Sequence, residues 1–159
     1  SRIMVVDRNP DKDAMCRSFG ATDVVITDDP TDAVSTIREA TDGRGVDYVF
    51  DAVGLAAIES VLLDCLAPAG TAVLVGIPST GTAFEVDAAE FIRREKVLTG
   101  SIFGSADTAR DFVDYAQRYL DGRLPIDRLV TERYRLDEIN EACDAMLTGG
   151  VGRGVIVFD

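Results

Sequence analysis

Short apolar runs alternate along this chain with longer segments in which apolar residues recur at helical spacing. The runs predict strands at residues 3–6, 23–26, 46–50, 71–75, 97–102, 129–134 and 154–158. Helices are predicted at residues 10–19, 56–66, 88–94, 107–120 and 136–147, and one more is predicted to end at about residue 40. Asn9 is the predicted cap of the first helix, Thr31 or Asp32 caps the helix that ends at 40, and Asp87 caps the helix at 88–94. Strands that alternate with helices in this way predict a parallel sheet covered by helices on both faces.

Acidic or glycine-containing segments follow four of the predicted strands. The first strand ends on Asp7, and the other three ends are residues 51–54, 76–78 and 102–104. Ligands of parallel α/β sheets bind outside the carboxyl ends of the strands, where a carboxylate holds the adenosine ribose of a dinucleotide. Glycine at three of these ends lets the backbone approach a ligand closely. The pattern therefore predicts a nucleotide site, with Asp7 as the ribose-binding acid.

The composition and net charge limit the classes of partner that this chain is expected to bind. The chain has 159 residues, 47% of them hydrophobic, which is enough for one domain with a core. Its net charge of -12 argues against nucleic acid and against an anionic membrane as partners. No apolar run is long enough for a membrane span, and the first residues do not form a signal peptide.

Cysteine and histidine usage bounds the chemistry. Cys16, Cys65 and Cys143 are far apart in sequence, as expected for free thiols of a cytoplasmic protein. The chain has no histidine, which excludes a histidine base and a histidine-ligated metal within it. A histidine-dependent catalytic residue and a histidine metal ligand are therefore not expected in this chain.

Seven segments in register resemble one family. They are residues 5–12 (VVDRNPDK), 19–22, 45–54 (GVDYVFDAVG), 74–78, 100–104, 136–142 and 152–156. Together they resemble the coenzyme-binding half and the C-terminal return of medium-chain zinc-dependent alcohol dehydrogenases. The resemblance implies an α/β Rossmann-type doubly wound parallel sheet that lacks its first strand, followed by a short strand-helix-strand return. It also implies a partial NAD-binding domain at 1–122 and a segment of the catalytic domain at 123–159.

The resemblance assigns the adenosine end of the coenzyme to the first strand and helix. Asp7 would accept hydrogen bonds from the ribose hydroxyls and repel a 2′-phosphate, which favours NAD over NADP. Lys12 would reach the same ribose, unless it is a solvated surface lysine. Arg8 replaces the aliphatic residue that is common in the family. It would stack on the adenine, moderate the Asp7 charge, or remain solvated.

The next two strand ends are matched to the path from adenosine to nicotinamide. Val53 and Gly54 would line this path. Val75, Gly76 and Ile77 would lie along the nicotinamide, with main-chain groups meeting its carboxamide. The alternative for these five residues is an ordinary pair of strand-end turns with core valines.

The remaining matches complete the proposed site and add an interface. Ser101 C=O and Phe103 N–H, with Ile102 between them, match further carboxamide contacts. Arg153 matches an arginine that reaches the pyrophosphate, although a solvated loop arginine is the alternative. The strand from Lys96 to Phe103 matches the edge through which two subunits of the family pair, and we expect a homodimer there.

The family's catalytic zinc ligands, its structural zinc lobe, and the first strand with its Gly-x-Gly-x-x-Gly turn have no counterpart in this sequence. In the fold's strand order the first strand lies at the centre of the sheet. We therefore expect this polypeptide to be a fragment that forms no stable monomer in the family arrangement. Alone, it should show negligible dehydrogenase activity.

Three functions remain open from the sequence. The leading hypothesis is NAD-dependent oxidation of alcohols to aldehydes or ketones, zinc-dependent in the full-length parent, with S-hydroxymethyl thiol adducts as a possible substrate class. The alternative is a non-catalytic nucleotide-binding or dimerisation module. A zinc-free quinone reductase of the same superfamily is the third hypothesis. Asp7 counts against it, because those enzymes typically prefer NADP.

Overall fold

The computed structural model describes residues 1–150 and 152–158. The strands are β1 (Met4–Asp7), β2 (Asp23–Ile26), β3 (Val46–Asp51), β4 (Leu66–Leu74), β5 (Val97–Gly100), β6 (Val130–Tyr134) and β7 (Arg153–Ile156). The helices are α1 (Asp13–Ser18), α2 (Pro30–Ala40), α3 (Ala56–Leu62), α4 (Ala88–Arg93), α5 (Thr108–Leu120) and α6 (Ile139–Leu147). Short 3-10 turns lie at Pro10–Lys12, Leu63–Cys65, Phe103–Ser105, Ile126–Leu129 and Leu136–Glu138.

All described strand pairs are parallel, which confirms the predicted α/β class. β1 pairs with β2, β4 lies between β3 and β5, and β6 pairs with β7. Within residues 1–150 and 152–158, no strand pairs with the second edge of β1 or of β3.

The chain divides into two compact units. The first unit comprises Ser1–Ile26 and Asp107–Asp159, and the second comprises Thr27–Ala106. The first contains the β1–β2 and β6–β7 pairs, and the second contains the three-stranded sheet. The predicted division at residue 122 is not tested by this partition and stays a prediction.

The core of the second unit forms where α3 packs on the three-stranded sheet. Its buried residues are Leu62, Leu63, Leu66 and Ala72. Val46, Val49, Ile58, Leu74, Phe91 and Leu98 pack against this cluster. The apolar spacing predicted for α3 is therefore confirmed, and each fully buried leucine contributes roughly 2 kcal/mol as an upper estimate.

The Arg38 side chain connects the end of α2 to neighbouring main-chain segments. Its guanidinium donates hydrogen bonds to four carbonyls, those of Gly43 (2.8 Å), Arg44 (3.0 Å), Asp64 (2.9 Å) and Leu66 (3.2 Å). The planar fork of arginine suits this arrangement, because it presents five N–H donors in fixed directions.

Lys96 is a buried cation in the second unit. It is only 7% exposed, and its Nζ donates to the carbonyl of Leu63, 2.9 Å away, just after α3. A cation at this end of a helix also interacts favourably with the helix dipole. Cys65 is buried beside it. Burial and the neighbouring Asp64 raise the pKa of the Cys65 thiol to about 11, which keeps it protonated and inert.

The predicted N-cap of α2 was wrong by two or three residues, because the observed cap is Asp29. Neither Thr31 nor Asp32 caps the helix. The Asp29 carboxylate accepts the N–H of Thr31, 2.8 Å away, and Pro30 occupies the first turn. A proline at the first helical position fits this register, because it has no N–H to leave unpaired.

The predicted boundary between α3 and β4 was also wrong. The sequence Ala67-Pro-Ala-Gly70 was expected to be a loop before a strand at 71–75, but β4 already begins at Leu66. Val46 pairs with Leu66 and Tyr48 pairs with Thr71, so the register shifts between these two pairs. The strand accommodates the intervening residues as a bulge.

The strand predicted at residues 97–102 ends earlier, at Gly100. Phe103, Gly104 and Ser105 follow with φ angles of 49°, 69° and 55°, which lie in the left-handed region. Such residues cannot continue a strand. The edge predicted from Lys96 to Phe103 is therefore limited to β5, and the Lys96 side chain is buried.

The apolar face predicted for α5 is not buried. Phe112 is 61% exposed and Tyr115 and Tyr119 are about two-fifths exposed, although the helix itself is confirmed. Helical spacing identified the face, but within the described chain it has no buried residue. β1 is likewise only partly buried, and its Val6 is exposed.

Candidate functional site

The predicted site residues are divided between the two units. Asp7, Arg8, Lys12 and Arg153 belong to the first unit. Val53, Gly54, Val75, Gly76, Ile77, Ser101, Ile102 and Phe103 belong to the second.

Asp7 is the last residue of β1, and the turn after it surrounds its carboxylate with donors. The Asn9 N–H donates to Oδ1, 2.9 Å away, and the Lys12 Nζ donates to Oδ2, 3.0 Å away. Burial raises the pKa of the Asp7 carboxyl, but the Asn9 N–H and the Lys12 ammonium outweigh this and hold it below its ordinary value. The carboxylate is therefore ionised at neutral pH, and its side chain remains 24% exposed to a ligand.

Asn9 joins this turn to the glycine-rich segment near the end of the chain. Its side-chain oxygen caps the helical turn by accepting the Asp11 N–H, 2.9 Å away, as predicted from the sequence. Its Nδ2 donates to the carbonyl of Gly149, also 2.9 Å away. Sequence reasoning missed this second contact, because nothing local signals a partner 140 residues away.

The two arginines of the first unit are placed differently. Arg8 is exposed and directly follows the Asp7 strand end, so its guanidinium is available to solvent or ligand. Arg153 is the exposed first residue of β7 and pairs with Val130 in the ladder. Part of the predicted flexible segment 149–152 lies outside the described residues, since Val151 is not among them.

In the second unit, Asp51 organises the ends of β3 and β4. It is 2% exposed, and its Oδ1 accepts the N–H groups of Val53 (2.8 Å) and Gly54 (3.2 Å). Its main-chain carbonyl accepts the N–H groups of Val75 (2.9 Å) and Gly76 (2.8 Å). The sequence marked residues 51–54 as a strand end but gave no sign of this joining role.

Gly54 and Gly76 let the two strand ends meet backbone to backbone. A Cβ on Gly54 would lie 2.8 Å from the carbonyl carbon of Gly76, and a Cβ on Gly76 would collide with the Gly54 nitrogen. Gly54 also has a φ of +77°, which L side chains rarely adopt. This close backbone contact therefore requires glycine at both positions.

The side chains carried by these strand ends are apolar and face solvent. Phe103 is 83% exposed, and Ser101 before it donates its N–H to Leu74 O, 2.9 Å away. The exposed side chains are those of Val53, Val75, Ile77, Ile102 and Phe103. A cluster of exposed apolar side chains at the ends of parallel strands is typical of a ligand-binding surface.

The described residues contain no group of side chains that could together bind a metal ion. Across residues 1–150 and 152–158, no three histidine, cysteine or acidic side chains converge as metal ligands would. Cys16, Cys65 and Cys143 are free. No step of a reaction can therefore be assigned to a metal held by these residues. In the same residues, no helix is long and apolar enough to cross a membrane.

Comparison with known sequences identifies the family. Residues 1–118 match the profile of the family described as zinc-binding dehydrogenase. The chain belongs to this family. It is 33% identical over 158 residues to a geraniol dehydrogenase from Carpoglyphus lactis and, at the same identity, to an alcohol dehydrogenase class-3 from Myxine glutinosa. Each alignment covers 98% of this chain but only about two fifths of the relative, 41% and 42%.

Solved structures agree with the family assignment. The alcohol dehydrogenase zinc-binding domain protein from Burkholderia ambifaria matches the whole chain with a TM-score of 0.90 at 32% identity. The benzyl alcohol dehydrogenase of Acinetobacter calcoaceticus gives the same TM-score at 29% identity. The chain covers 42% and 43% of these two structures. The Rossmann-type fold is therefore established.

Proposed function

We propose that this chain supplies most of the coenzyme-binding domain of an NAD-dependent alcohol dehydrogenase, which oxidises small alcohols to aldehydes or ketones. The observation that carries the proposal is the Asp7 site. An ionised carboxylate ends β1, beside the Lys12 ammonium, at the edge where nucleotides bind to parallel sheets. The names of the similar proteins, two of which are alcohol dehydrogenases and one a geraniol dehydrogenase, support the substrate class.

The charge at Asp7 supports NAD rather than NADP. A ribose diol donates two hydrogen bonds to a carboxylate, whereas a 2′-phosphate would be repelled by it. Lys12 already neutralises part of the Asp7 charge at 3.0 Å, and Arg8 lies next in sequence. We therefore propose a preference for NAD, with the ribose held by Asp7 and Lys12 and the adenine side bordered by Arg8.

The second unit supports a nicotinamide site. We propose that Val53, Gly54, Val75, Gly76, Ile77, Ser101, Ile102 and Phe103 line the nicotinamide end, and that Arg153 of the first unit reaches the pyrophosphate. Bound NAD would accept a hydride from the alcohol at its nicotinamide ring. The residues of this chain would orient the ring through apolar contacts and main-chain groups. Zinc ligands would have to come from residues outside the described chain.

Two further properties are proposed with the function. β5 pairs only with β4 among the described strands, which leaves one edge for a second copy, and we propose a homodimer through that edge. Three free cysteines, one of them exposed, suit a reducing compartment, and we propose a cytoplasmic location.

Calorimetric titration of this chain with NAD, NADP, AMP and ATP tests the proposal. We expect NAD to bind more tightly than AMP, because the nicotinamide end adds contacts, and more tightly than NADP, because Asp7 repels the phosphate. Circular dichroism first checks that the chain is folded, and a folded chain that fails to bind NAD would contradict the proposal. ATP that binds more tightly than NAD would favour a non-catalytic nucleotide-binding module instead.

A further inference from the structure

Asp51 is a buried carboxylate with no basic partner. It is 2% exposed, and none of the ion pairs in the described part of the chain includes it. A buried charge is costly unless hydrogen bonds replace its water. Here the replacements are the main-chain N–H groups of Val53 and Gly54. The carboxylate is therefore bonded to the segment that leaves β3.

The same residue holds the end of the neighbouring strand. Its carbonyl accepts two N–H groups, from Val75 and Gly76, so one residue bonds to both strand ends. Gly54 and Gly76 then touch through their backbones, with no space for a side chain. Without the hydrogen bonds to the Asp51 carboxylate, the segment that contains Val53 and Gly54 would be free to move away from Gly76.

The two segments that Asp51 joins carry apolar side chains that face solvent. Val53, Val75 and Ile77 are all exposed and extend from the two segments that Asp51 joins. Such side chains orient a flat aromatic ring only when the backbone that carries them is held in place.

We propose that Asp51 is a positioning residue, whose buried carboxylate fixes Val53 and Gly54 against Gly76 and thereby shapes the surface that receives the nicotinamide ring. The inference rests on the proposed function, because it concerns the nicotinamide end of the same site. Asp51 does not touch the ring. It acts through the loop backbone, and it should leave binding of the adenosine end unchanged.

The test compares two ligands, NADH and ADP-ribose, which share everything except the nicotinamide. Both are titrated into the wild-type chain and into Asp51→Ala, Asp51→Asn and the control Asp47→Asn. Asp47 is an exposed acid of the same strand. Circular dichroism checks the fold of each variant, and the fluorescence of bound NADH reports the environment of the ring.

We expect Asp51→Ala to weaken NADH binding about tenfold, since two buried N–H groups lose their acceptor, and to leave ADP-ribose within about twofold of wild type. Asp51→Asn keeps one acceptor oxygen and should weaken NADH binding less, about threefold. Asp47→Asn should change neither ligand. The fluorescence of NADH bound to the Asp51→Ala chain should shift toward that of free NADH.

Equal losses for both ligands, or no loss for NADH, would overturn the positioning role. If Asp51→Ala does not fold, Asp51→Asn decides by the same comparison of NADH with ADP-ribose. A wild-type chain that binds no NADH overturns the proposed function, and this inference with it. A wild type that binds NADH while the Asp51 variants keep full selectivity overturns this inference alone.

Discussion

At the scale of single residues, Asp7 combines a binding role with a measurable charge. Its carboxylate has two donors close by, the Asn9 N–H and the Lys12 ammonium. We expect Asp7→Asn to weaken NAD binding about tenfold, because an amide oxygen is a weaker acceptor and presents NH₂ donors to the ribose. The NADP affinity should fall less or rise, since the repelling charge is gone. Calorimetry with both coenzymes measures the ratio.

The control for this change is Asp11→Asn, which removes an exposed acid in the same turn. It should leave the NAD to NADP ratio within about twofold of wild type. A ratio that changes equally in both variants would mean that general charge, and not the position of Asp7, sets the coenzyme preference.

The Asp7 charge also makes stability depend on pH. Its pKa is lowered in the folded chain, so the folded state holds this proton less tightly than the unfolded state. The stabilisation is present above the unfolded pKa, near 3.8, and is lost as pH falls through the lower folded pKa. For a pair this accessible we expect no more than about 1 kcal/mol.

Urea unfolding of the wild-type chain and Asp7→Asn at pH 7, 5 and 3 measures this contribution. The difference in unfolding free energy between the two chains should shrink at the lowest pH. A difference that stayed constant down to pH 3 would show that the Asp7 charge is not stabilised in the fold.

Arg38 gives a prediction about stability alone. Removing it leaves four carbonyls without their donor, those of Gly43, Arg44, Asp64 and Leu66. We expect Arg38→Ala to lower the unfolding free energy by about 2 kcal/mol. Arg38→Lys should recover little, because one ammonium cannot reach four carbonyls. Arg110→Ala, at a side chain that is 76% exposed, is the control and should cost less than about 0.5 kcal/mol.

At the scale of elements, the close backbone approach between the ends of β3 and β4 can be tested by substituting its glycines. Gly54→Ala introduces a Cβ 2.8 Å from the Gly76 carbonyl carbon at a φ of +77°. Gly81→Ala is the matched control, because its φ is +89° and its Cβ would meet nothing within 4 Å. We expect about 1 kcal/mol of destabilisation for Gly81→Ala and about 3 kcal/mol or more for Gly54→Ala.

Thermal unfolding of both variants separates the conformational cost, which they share, from the cost of the close contact. Gly54→Ala should also weaken NADH binding more than ADP-ribose binding, since the strand ends must move apart. Equal melting temperatures for the two variants would show that the close approach at Gly54 relaxes at no cost.

Local signals predicted the elements well where capping chemistry is unambiguous. Asn9 and Asp87 cap their helices as expected, because each has a side-chain oxygen within reach of the next N–H groups. Before α2, Asp29 followed by Pro30 carries the same local signal as Asn9 followed by Pro10, and the prediction of Thr31 or Asp32 overlooked it. The register of β4 depends on pairing with β3, which no local pattern contains.

In the candidate site, too, local sequence identified some residues and missed others. Asp7 and Lys12 were predicted to reach one ribose from a strand end and the helical turn after it. The structure places their side chains in contact, at 3.0 Å, and the contact with a ribose stays a prediction. The joining role of Asp51 depends on where two strand ends meet in space, so sequence order alone could not reveal it. The nearby glycines were the available signal, because close backbone approach requires them.

At the scale of the whole molecule, the chain covers about two fifths of the relatives that it matches, and it leaves many large apolar side chains exposed. α5 shows this most clearly, since Phe112, Val113 and Leu120 are each more than 60% exposed. Apolar surface of this kind marks contact sites in folded proteins. Oligomeric state is therefore a property to measure before any binding constant is interpreted.

The free edge of β5 gives the last prediction. Val97, at its start, is 48% exposed, and β5 pairs with β4 alone among the described strands. If two copies join at this edge, a lysine at Val97 should oppose pairing, because charged side chains blunt exposed sheet edges. We expect Val97→Lys to raise the dimer dissociation constant at least about tenfold in sedimentation velocity. Ile126→Lys, also 48% exposed but remote in sequence, should leave it unchanged. A wild-type chain that stays monomeric, or equal effects of both lysines, would rule out this edge as the interface.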